Sequence, residues 1–315
     1  MKRISIVITF IFSLLFTIPS YSQSETGWNS KSREINFFII SDSGRNGYYD
    51  QCTIADKMGD IGESLRLKCV VSNGDIHHFE GVRSVADPLW MTNYELVYKH
   101  PELMLPWYVT LGNHEYRGNT QACVDYTQIS SRWRMPSRYH TQVIKGKKAS
   151  VRIVLLDTTP IIEYCRKDTG TYPDAIKQNR EKQLRWLERV LSEADEDWVI
   201  VLGHHPIYAD TPKNIAENEG MQDCVNPILK RHKNVVMYVS GHLHTFQHIH
   251  REDSHIDYIV NGSASQSRPS VSPIEGTVFC QATTGVSLIC ANKKELTYYM
   301  LDKDGNILHT IQYLK

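Results

Sequence analysis

The sequence has no surplus of either charge. Its 35 lysines and arginines face 35 aspartates and glutamates, so nothing in the balance argues for a nucleic-acid partner. There is no heptad run, no acidic tail and no internal repeat, which excludes coiled coils and solenoids. None of the seven cysteines stands in a CxxC spacing, which excludes the usual thiolate zinc and dithiol redox motifs. Long apolar runs are missing too, with one exception at the N-terminus. Met1-Lys2-Arg3 precedes an almost wholly apolar stretch from Ile4 to Ile18, which ends at Pro19 and Ser20-Tyr21-Ser22. A spanning helix needs about 20 apolar residues, and this run is shorter. A positive start, an apolar middle and small residues describe a signal peptide, expected here over residues 1–22. No cysteine follows it to take a lipid. The rest is expected to be exported, periplasmic or extracellular, without a stable membrane anchor. In an oxidising compartment some cysteines should pair, and an odd count leaves at least one free. Cys69, inside the run Cys69-Val70-Val71, reads as a buried free thiol.

What is present is an ordinary globular composition, 41% hydrophobic and 22% charged, which excludes a wholly disordered chain. From residue 35 onward short apolar runs alternate with polar clusters. Ile35–Ile40 leads into Ser41-Asp42-Ser43-Gly44, and Cys69–Val71 into Ser72-Asn73-Gly74-Asp75-Ile76-His77-His78. Trp107–Leu111 leads into Gly112-Asn113-His114-Glu115, and Val151–Leu156 ends at Asp157. Trp198–Leu202 leads into Gly203-His204-His205-Pro206, Val235–Val239 into Ser240-Gly241-His242-Leu243-His244, and Ile256–Val260 into Asn261-Gly262-Ser263. Apolar runs this short, bounded by turn formers, predict buried strands. Helical spacing lies between them, most clearly over residues 179–194, where Leu184, Leu187, Val190 and Leu191 share a face. Strands alternating with helices predict an α/β fold, whose ligands bind beyond the carboxyl ends of its strands. Residues 263–278 read as a Ser- and Pro-rich loop. Strand-like runs at 285–290, 296–301 and 307–313 then predict antiparallel strands closing the sheet, with a hairpin turn at Asp302–Asn306. No domain boundary is visible, so one domain is expected.

The polar clusters hold hard oxygen donors, Asp42 and Asp75, an amide oxygen on Asn113, and imidazoles at His204, His242 and His244. Mixed nitrogen and oxygen donors suit zinc, manganese, iron or cobalt. Six or seven of them exceed one tetrahedral ion and match two ions sharing a bridging carboxylate. Each cluster alone is a weak signal, because a strand-end Asp is usually a turn former and a single His usually a satisfied surface residue. Five clusters in order, each directly after a strand, are much more specific.

This order resembles the calcineurin-like metallophosphoesterases, and within them the purple acid phosphatases of the short tartrate-resistant type. The resemblance rests on the five clusters, on Pro106-Trp107-Tyr108-Val109, on Leu156-Asp157-Thr158 and on the helix with Leu184, Trp186 and Leu187. It covers residues 34–315. It implies an α/β/β/α sandwich of two mixed sheets with flanking helices, formed as a single metallophosphoesterase domain over 34–315. It implies one metal held by Asp42, Asp75, His244 and the residue three after Asp75, and a second held by Asp75, Asn113, His204 and His242. The metals would be iron paired with zinc, manganese or a second iron. His114 would bind phosphate oxygens or protonate the leaving group. A metal-bound hydroxide would attack the phosphorus of a phosphomonoester, either a small molecule or a phosphoprotein. The resemblance also implies a Cys165–Cys224 disulfide, and the protein is expected to be a monomer.

Two positions depart from that family. A tyrosine whose phenolate gives the purple colour is replaced by His78, with His77 next door as a competitor. An imidazole in place of a phenolate removes one negative charge, so a colourless site with divalent or easily reduced metal is expected. The loop after Pro206 lacks the histidine that can assist the leaving group, leaving Glu219 as a candidate acid or a solvated carboxylate. Arg45 and Tyr116 flank the set as substrate contacts or as surface filling, and loops at Tyr48, Tyr49 and Ser263–Ser272 would govern access. Two other functions remain open on this scaffold, a phosphodiesterase and a secreted metal-binding protein without catalysis.

Overall fold

The strand β1 (Ile35–Ile40) is buried along its whole length because each of its faces meets a different hydrophobic layer. Phe37 and Ile39 enter a core shared with Val151, Ile153, Ile200 and Met237. Phe38 and Ile40 enter another, shared with Ile54, Met58 and Ile61 of the helix Gln51–Glu63. A strand covered on both sides must be apolar at successive positions, which is why this run shows no alternation. The computed structural model describes residues 27–315, and the stretch read as a signal peptide lies outside the described residues.

The remaining strands are β2 (Leu67–Ser72), β3 (Trp107–Val109), β4 (Trp133–Arg134), β5 (His140–Lys145), β6 (Ser150–Leu155), β7 (Trp198–Leu202), β8 (Val235–Ser240), β9 (Thr245–His250), β10 (Asp257–Gly262), β11 (Thr277–Gln281), β12 (Gly285–Ala291), β13 (Glu295–Asp302) and β14 (Ile307–Leu314). They form two seven-stranded sheets, in the orders β14-β13-β12-β1-β2-β3-β4 and β11-β9-β10-β8-β7-β6-β5. Both sheets are mixed. β1, β2, β3 and β4 run parallel while β12, β13 and β14 extend the sheet antiparallel. In the other sheet β6, β7, β8 and β10 are parallel, flanked by antiparallel β5, β9 and β11. The helix Arg180–Ser192 covers the second sheet through Leu187, Val190 and Leu191, so the layers read α/β/β/α as expected.

Four strands were not anticipated. β4 and β5 fall where no element was expected. β9 reads Thr-Phe-Gln-His-Ile-His, too polar for the pattern sought, and β11 begins at the end of the stretch read as a loop and runs past it. β9 survives in the interior because its polar side chains find partners. His248 Nε2 donates to Asp257 Oδ1 (2.9 Å), and His248 Nδ1 meets His309 Nε2 at 2.9 Å. His250 Nδ1 donates to the same Asp257 oxygen (2.8 Å), and the Tyr313 hydroxyl donates to Asp257 Oδ2. Asp257 on β10 thereby ties β9 to β14 of the opposite sheet. Nearer the site, Asn261 Nδ2 donates to Ile39 O (3.0 Å) and Asn261 Oδ1 accepts from the Tyr298 hydroxyl (3.1 Å). These ties fix where the strand ends of one sheet stand relative to those of the other.

Burial would raise the Asp257 carboxyl, but its bonds to His248 and Tyr313 hold it below its ordinary value. A carboxyl depressed in the fold contributes stability above the unfolded value of 3.8 and loses it as pH falls through the folded value. Asp257→Asn removes at least one acceptor and is expected to lower stability by about 1–3 kcal/mol at pH 7. Urea denaturation of both proteins should show that gap closing below pH 4; a gap constant with pH would contradict the account.

Candidate metal centre

Loops leaving the carboxyl ends of β1, β2, β3, β7 and β8 turn into one hollow. Among them Asp42, Asp75, His242 and His244 hold a left-handed backbone, with φ of 52°, 56°, 72° and 57°. For residues with a Cβ this costs on the order of 1–2 kcal/mol each and persists only where the surroundings enforce it. Here they do. Asp42 N donates to Gly74 O (3.1 Å), and the hydroxyls of Ser263 and Ser265 both donate to Asp42 O (3.1 and 2.6 Å). The loops also approach too closely for side chains. A Cβ on Gly112 would lie 2.1 Å from Asp75 Oδ1, and one on Gly44 would lie 1.8 Å from Ile76 O.

The two carboxylates are held alike. Asp42 Oδ2 accepts the His242 N–H (2.8 Å) and Asp75 Oδ1 accepts the His114 N–H (2.9 Å). The second oxygen of each, Asp42 Oδ1 and Asp75 Oδ2, is buried without a hydrogen-bond partner. The histidines repeat the arrangement. His204 Nδ1 donates to Asn73 O (3.1 Å), His244 Nδ1 to Gln266 O (2.9 Å) and His242 Nε2 to Glu217 Oε2 (2.7 Å). A ring nitrogen facing a carbonyl or carboxylate carries the proton, so the other nitrogen of the neutral ring presents its lone pair. Those nitrogens face the orphan oxygens. His244 Nε2 stands 3.1 Å from Asp42 Oδ1, and His204 Nε2 stands 3.2 Å from Asp75 Oδ2 and 3.1 Å from Asn113 Oδ1. His242 Nδ1 is 3.1 Å from His204 Nε2, and His78 Nε2 is 3.4 Å from Asp75 Oδ2. Both ring nitrogens of His78 lack a partner.

Donors around one ion with bonds of about 2.0–2.1 Å stand about 3.0–3.4 Å apart, which is the spacing found. Asp42, His78 and His244 make one such group and Asp75, His204 and His242 another. Asn113 joins the second, and Asp75 Oδ2 adjoins both through His78 and His204. All seven expected ligands thus converge. His77 does not join them. It is fully buried with its ring 4.5 Å from that of Trp90, and burial lowers it to about 3. His114 stands at the rim, its Nδ1 bonded to Phe79 O (2.6 Å) and its Nε2 3.9 Å from Asp75 Oδ2.

The electrostatics favour positive charge. Burial would raise Asp42 and Asp75, yet His244 beside the first and His204 beside the second hold both below the ordinary carboxylate value. Burial would lower His204, but Asp75 and Asp42 outweigh it and raise His204 to about 9. A proton is therefore drawn between these groups. The rim adds cations in a cavity of about 290 Å³ lined by Arg45, His78, His114, Lys213, His244 and Arg268, with no carboxylate in its wall.

Sequence reasoning missed three supporting residues. Glu115 accepts the N–H groups of Asp75 (2.9 Å), His77 (2.9 Å) and Gly112 (2.7 Å), stapling the loops after β2 and β3. Burial and the Asp75 charge push it up to about 7. Glu217 orients His242, and Lys213 Nζ donates to His242 Nδ1 (3.1 Å). The only local signal for Lys213 was a cation in a loop searched for histidine. Glu219 is exposed on the helix Ala216–Cys224, which turns Glu217 inward, so of its two readings the solvated carboxylate holds. Two expectations need correction. Tyr116 is fully buried, and its hydroxyl donates to Asp157 Oδ2 (2.5 Å), so it neither fills surface nor reaches substrate. Cys165 and Cys224 are both free thiols. Cys165 is buried with its sulfur grouped beside His205 and Glu217, while Cys224 ends its helix half-exposed, so the expected bridge is not formed.

Asp157 carries a testable sign. Burial pushes its carboxyl up to about 7, against the pull of Arg138 and the Tyr116 hydroxyl. A carboxyl raised in the fold loses stability as pH rises from 3.8 toward 7, where only the unfolded chain has ionised. Each tenfold difference in proton affinity between the folded and unfolded chains is worth about 1.4 kcal/mol. Relative to the native protein, Asp157→Asn should therefore gain a few kcal/mol between pH 4 and pH 8. Denaturant melts across that range check it, and a flat difference would contradict it.

Comparison with known proteins supplies the family. The model of the calcineurin-like phosphoesterases matches residues 35–246. Purple acid phosphatase 4 of Arabidopsis thaliana is 32% identical over 287 residues, 87% of this chain and 82% of that protein. Tartrate-resistant acid phosphatase type 5 of Oryctolagus cuniculus is 32% identical over 232 residues, 69% of this chain and 67% of that protein. Among solved structures, the fold is similar to GAP50, the anchor in the inner membrane complex of Plasmodium, with a TM-score of 0.74 at 22% identity over 89% of this chain and 88% of that one. It is also similar to purple acid phosphatase PPD1 of yellow lupin, with a TM-score of 0.62 at 14% identity over 89% of this chain and 53% of that one. With its five strand-end clusters gathered in one hollow, this chain belongs to the calcineurin-like phosphoesterase family, as a hydrolase related to the purple acid phosphatases.

Proposed function

We propose that this protein is an exported phosphomonoesterase working with two metal ions, formed as one domain over residues 34–315 and acting as a monomer. The observation that carries this reading is the set of buried, unpartnered donors, Asp42 Oδ1, Asp75 Oδ2 and both His78 nitrogens, surrounded by histidines whose outer nitrogens are already tied. Buried polar atoms are rarely left without partners, and divalent cations satisfy this set. Asp42, His78 and His244 would hold one ion and Asn113, His204 and His242 the other, with Asp75 between them. His242 Nδ1 would give up Lys213 on holding a metal. Bound there, two cations acidify water and neutralise phosphoryl oxygens. The chain's own residues do the rest. Arg45, Lys213 and Arg268 bind and orient a phosphate dianion. His114, whose Nδ1 proton is tied to Phe79 O, delivers a proton from Nε2 to the departing oxygen in its imidazolium form, which burial disfavours and Asp75 favours. Two carboxylates against two divalent ions leave the centre net positive, which favours a dianionic monoester over a monoanionic diester. Among the described residues no helix is long and apolar enough to cross a membrane, and export rests on the N-terminal sequence alone.

The direct test sets an aryl phosphomonoester against an aryl phosphodiester. The monoester should be the better substrate, and Asp75→Asn or His204→Ala should reduce kcat/KM by about a thousandfold or more. Elemental analysis should show fewer than two metals in those variants, with circular dichroism unchanged. Metal bound without hydrolysis of either ester would leave a binding protein instead. The iron-loaded protein should be colourless, because His78 stands where the coloured relatives have a tyrosine. A visible charge-transfer band abolished by His78→Ala would overturn that expectation.

A further inference from the structure

Beside the candidate metal centre lies a second cavity of about 520 Å³, which shares Arg45, His78 and Phe79 with it and is otherwise walled by Gly44, Asn46, Tyr48 and Tyr49. Tyr48, Tyr49 and Phe79 are 72%, 64% and 60% exposed, and three such aromatics around one hollow are rare on a surface without a ligand to cover them. The loop that carries the tyrosines is held firmly. Gln51 Oε1 accepts the N–H groups of Arg45 (3.1 Å) and Gly47 (2.8 Å), Asn93 Oδ1 accepts that of Asn46 (2.6 Å), and Asp50 N donates to Ser265 O (3.1 Å). Asn46, Gly47 and Tyr49 take left-handed backbones, at φ of 54°, 80° and 57°. Strain of this kind, pinned by several bonds, is typical of ligand clamps. Arg45 joins the two cavities. Its guanidinium lies over the Phe79 ring at 4.7 Å, its side chain is nearly all buried, and its Nε and Nη1 have no partner.

We infer that Tyr48, Tyr49 and Phe79 form a stacking subsite for a planar aromatic ring on the leaving group of the phosphomonoester. The inference rests on the phosphatase reading above. With the phosphate in the cationic cavity, the ring of the same molecule enters the aromatic one, and the free N–H groups of Arg45 bind the phosphate side of the join. Aromatic platforms of this kind hold any ring with a π face, so a nucleobase and a phenol both qualify. An unsubstituted sugar phosphate or an alkyl phosphate leaves the platform bare.

Two substrate pairs separate the sources. Adenosine 5′-monophosphate and ribose 5-phosphate release the same primary hydroxyl, so their ratio of kcat/KM reports the base alone. O-phosphotyrosine against O-phosphoserine does the same for a phenolic ring once the native ratio is compared with that of a variant. Both tyrosines are exposed, so Tyr48→Ala/Tyr49→Ala should fold, and circular dichroism checks it. Tyr48→Phe/Tyr49→Phe keeps the ring faces and should keep both ratios. In the alanine variant the ratio should fall by about tenfold in at least one pair, the size expected for losing a stacked ring, and that pair names the source. A ratio unchanged by the alanine variant in both pairs overturns the subsite while leaving the phosphatase intact. Hydrolysis of none of the four overturns both.

Discussion

Two carboxylates buried side by side set the terms for the rest of this structure. Asp42 and Asp75 are each tethered by one oxygen to a backbone N–H of another ligand-bearing loop, and each turns its second oxygen toward histidine nitrogens. Such charge in a dry interior is strongly unfavourable unless paired. Only cations, or protons taken up by histidine, relieve it, which is why His204 is raised to about 9 despite its burial. The left-handed turns at Asp42, Asp75, His242 and His244 serve the same end. They aim short side chains from strands of two different sheets at common points, and that needs scaffolding. β1 and β7, buried throughout, and the buried carboxyl-terminal parts of β2 and β8 supply it, while Asn261 and Asp257 lock one sheet to the other.

The α/β class and the convergence of the seven donors were legible in the chain because both leave local marks. A strand buried on both faces is a continuous apolar run, and a functional loop at its end is a sudden cluster of Gly, Asp, Asn and His. Residues whose role depends on distant partners left none. β9 was invisible because its polarity is satisfied by Asp257 on the next strand and by His309 of β14, more than 50 residues away. Glu217 acts only through His242, and Glu115 only because the loop after β2 brings N–H groups to it. Tyr116 looked like a rim residue from its place beside the Asn113 cluster, yet the buried Asp157 draws its hydroxyl inward. The pairing inferred for Cys165 from resemblance failed because the thiol turns toward His205 and Glu217 instead.

Lys213 shows how a departure in sequence is absorbed by the site. The loop after Pro206 lacks the histidine of related enzymes, but it brings an ammonium to His242 Nδ1, the nitrogen that would face the second ion. Burial lowers the Lys213 pKa while Asp75 and Asp42 work against that. A metal held by His242 would free the ammonium, and the cavity wall shared with Arg45, His114 and Arg268 is the place it already lines. The same side chain thus caps the lone pair of the metal-free centre and, in the proposed enzyme, would join the phosphate cradle of the loaded one.

That arrangement bears on which esters the centre can turn over. Attraction scales with the product of charges, so the proposed two-metal centre, with a net charge near +2 and three cations around it, would draw a dianion about twice as strongly as a monoanion at equal distance. A diester carries one charge fewer and one substituent more, and its extra arm would have to lie against Arg45, Lys213 or Arg268, where no carboxylate offsets their desolvation. The aromatic hollow beside Phe79 offers room for a single arm on the side of Arg45. In the proposed enzyme, one phosphate dianion facing the cations, with one leaving group facing the rings, would be the substrate geometry that leaves no charged group of the rim buried without a partner.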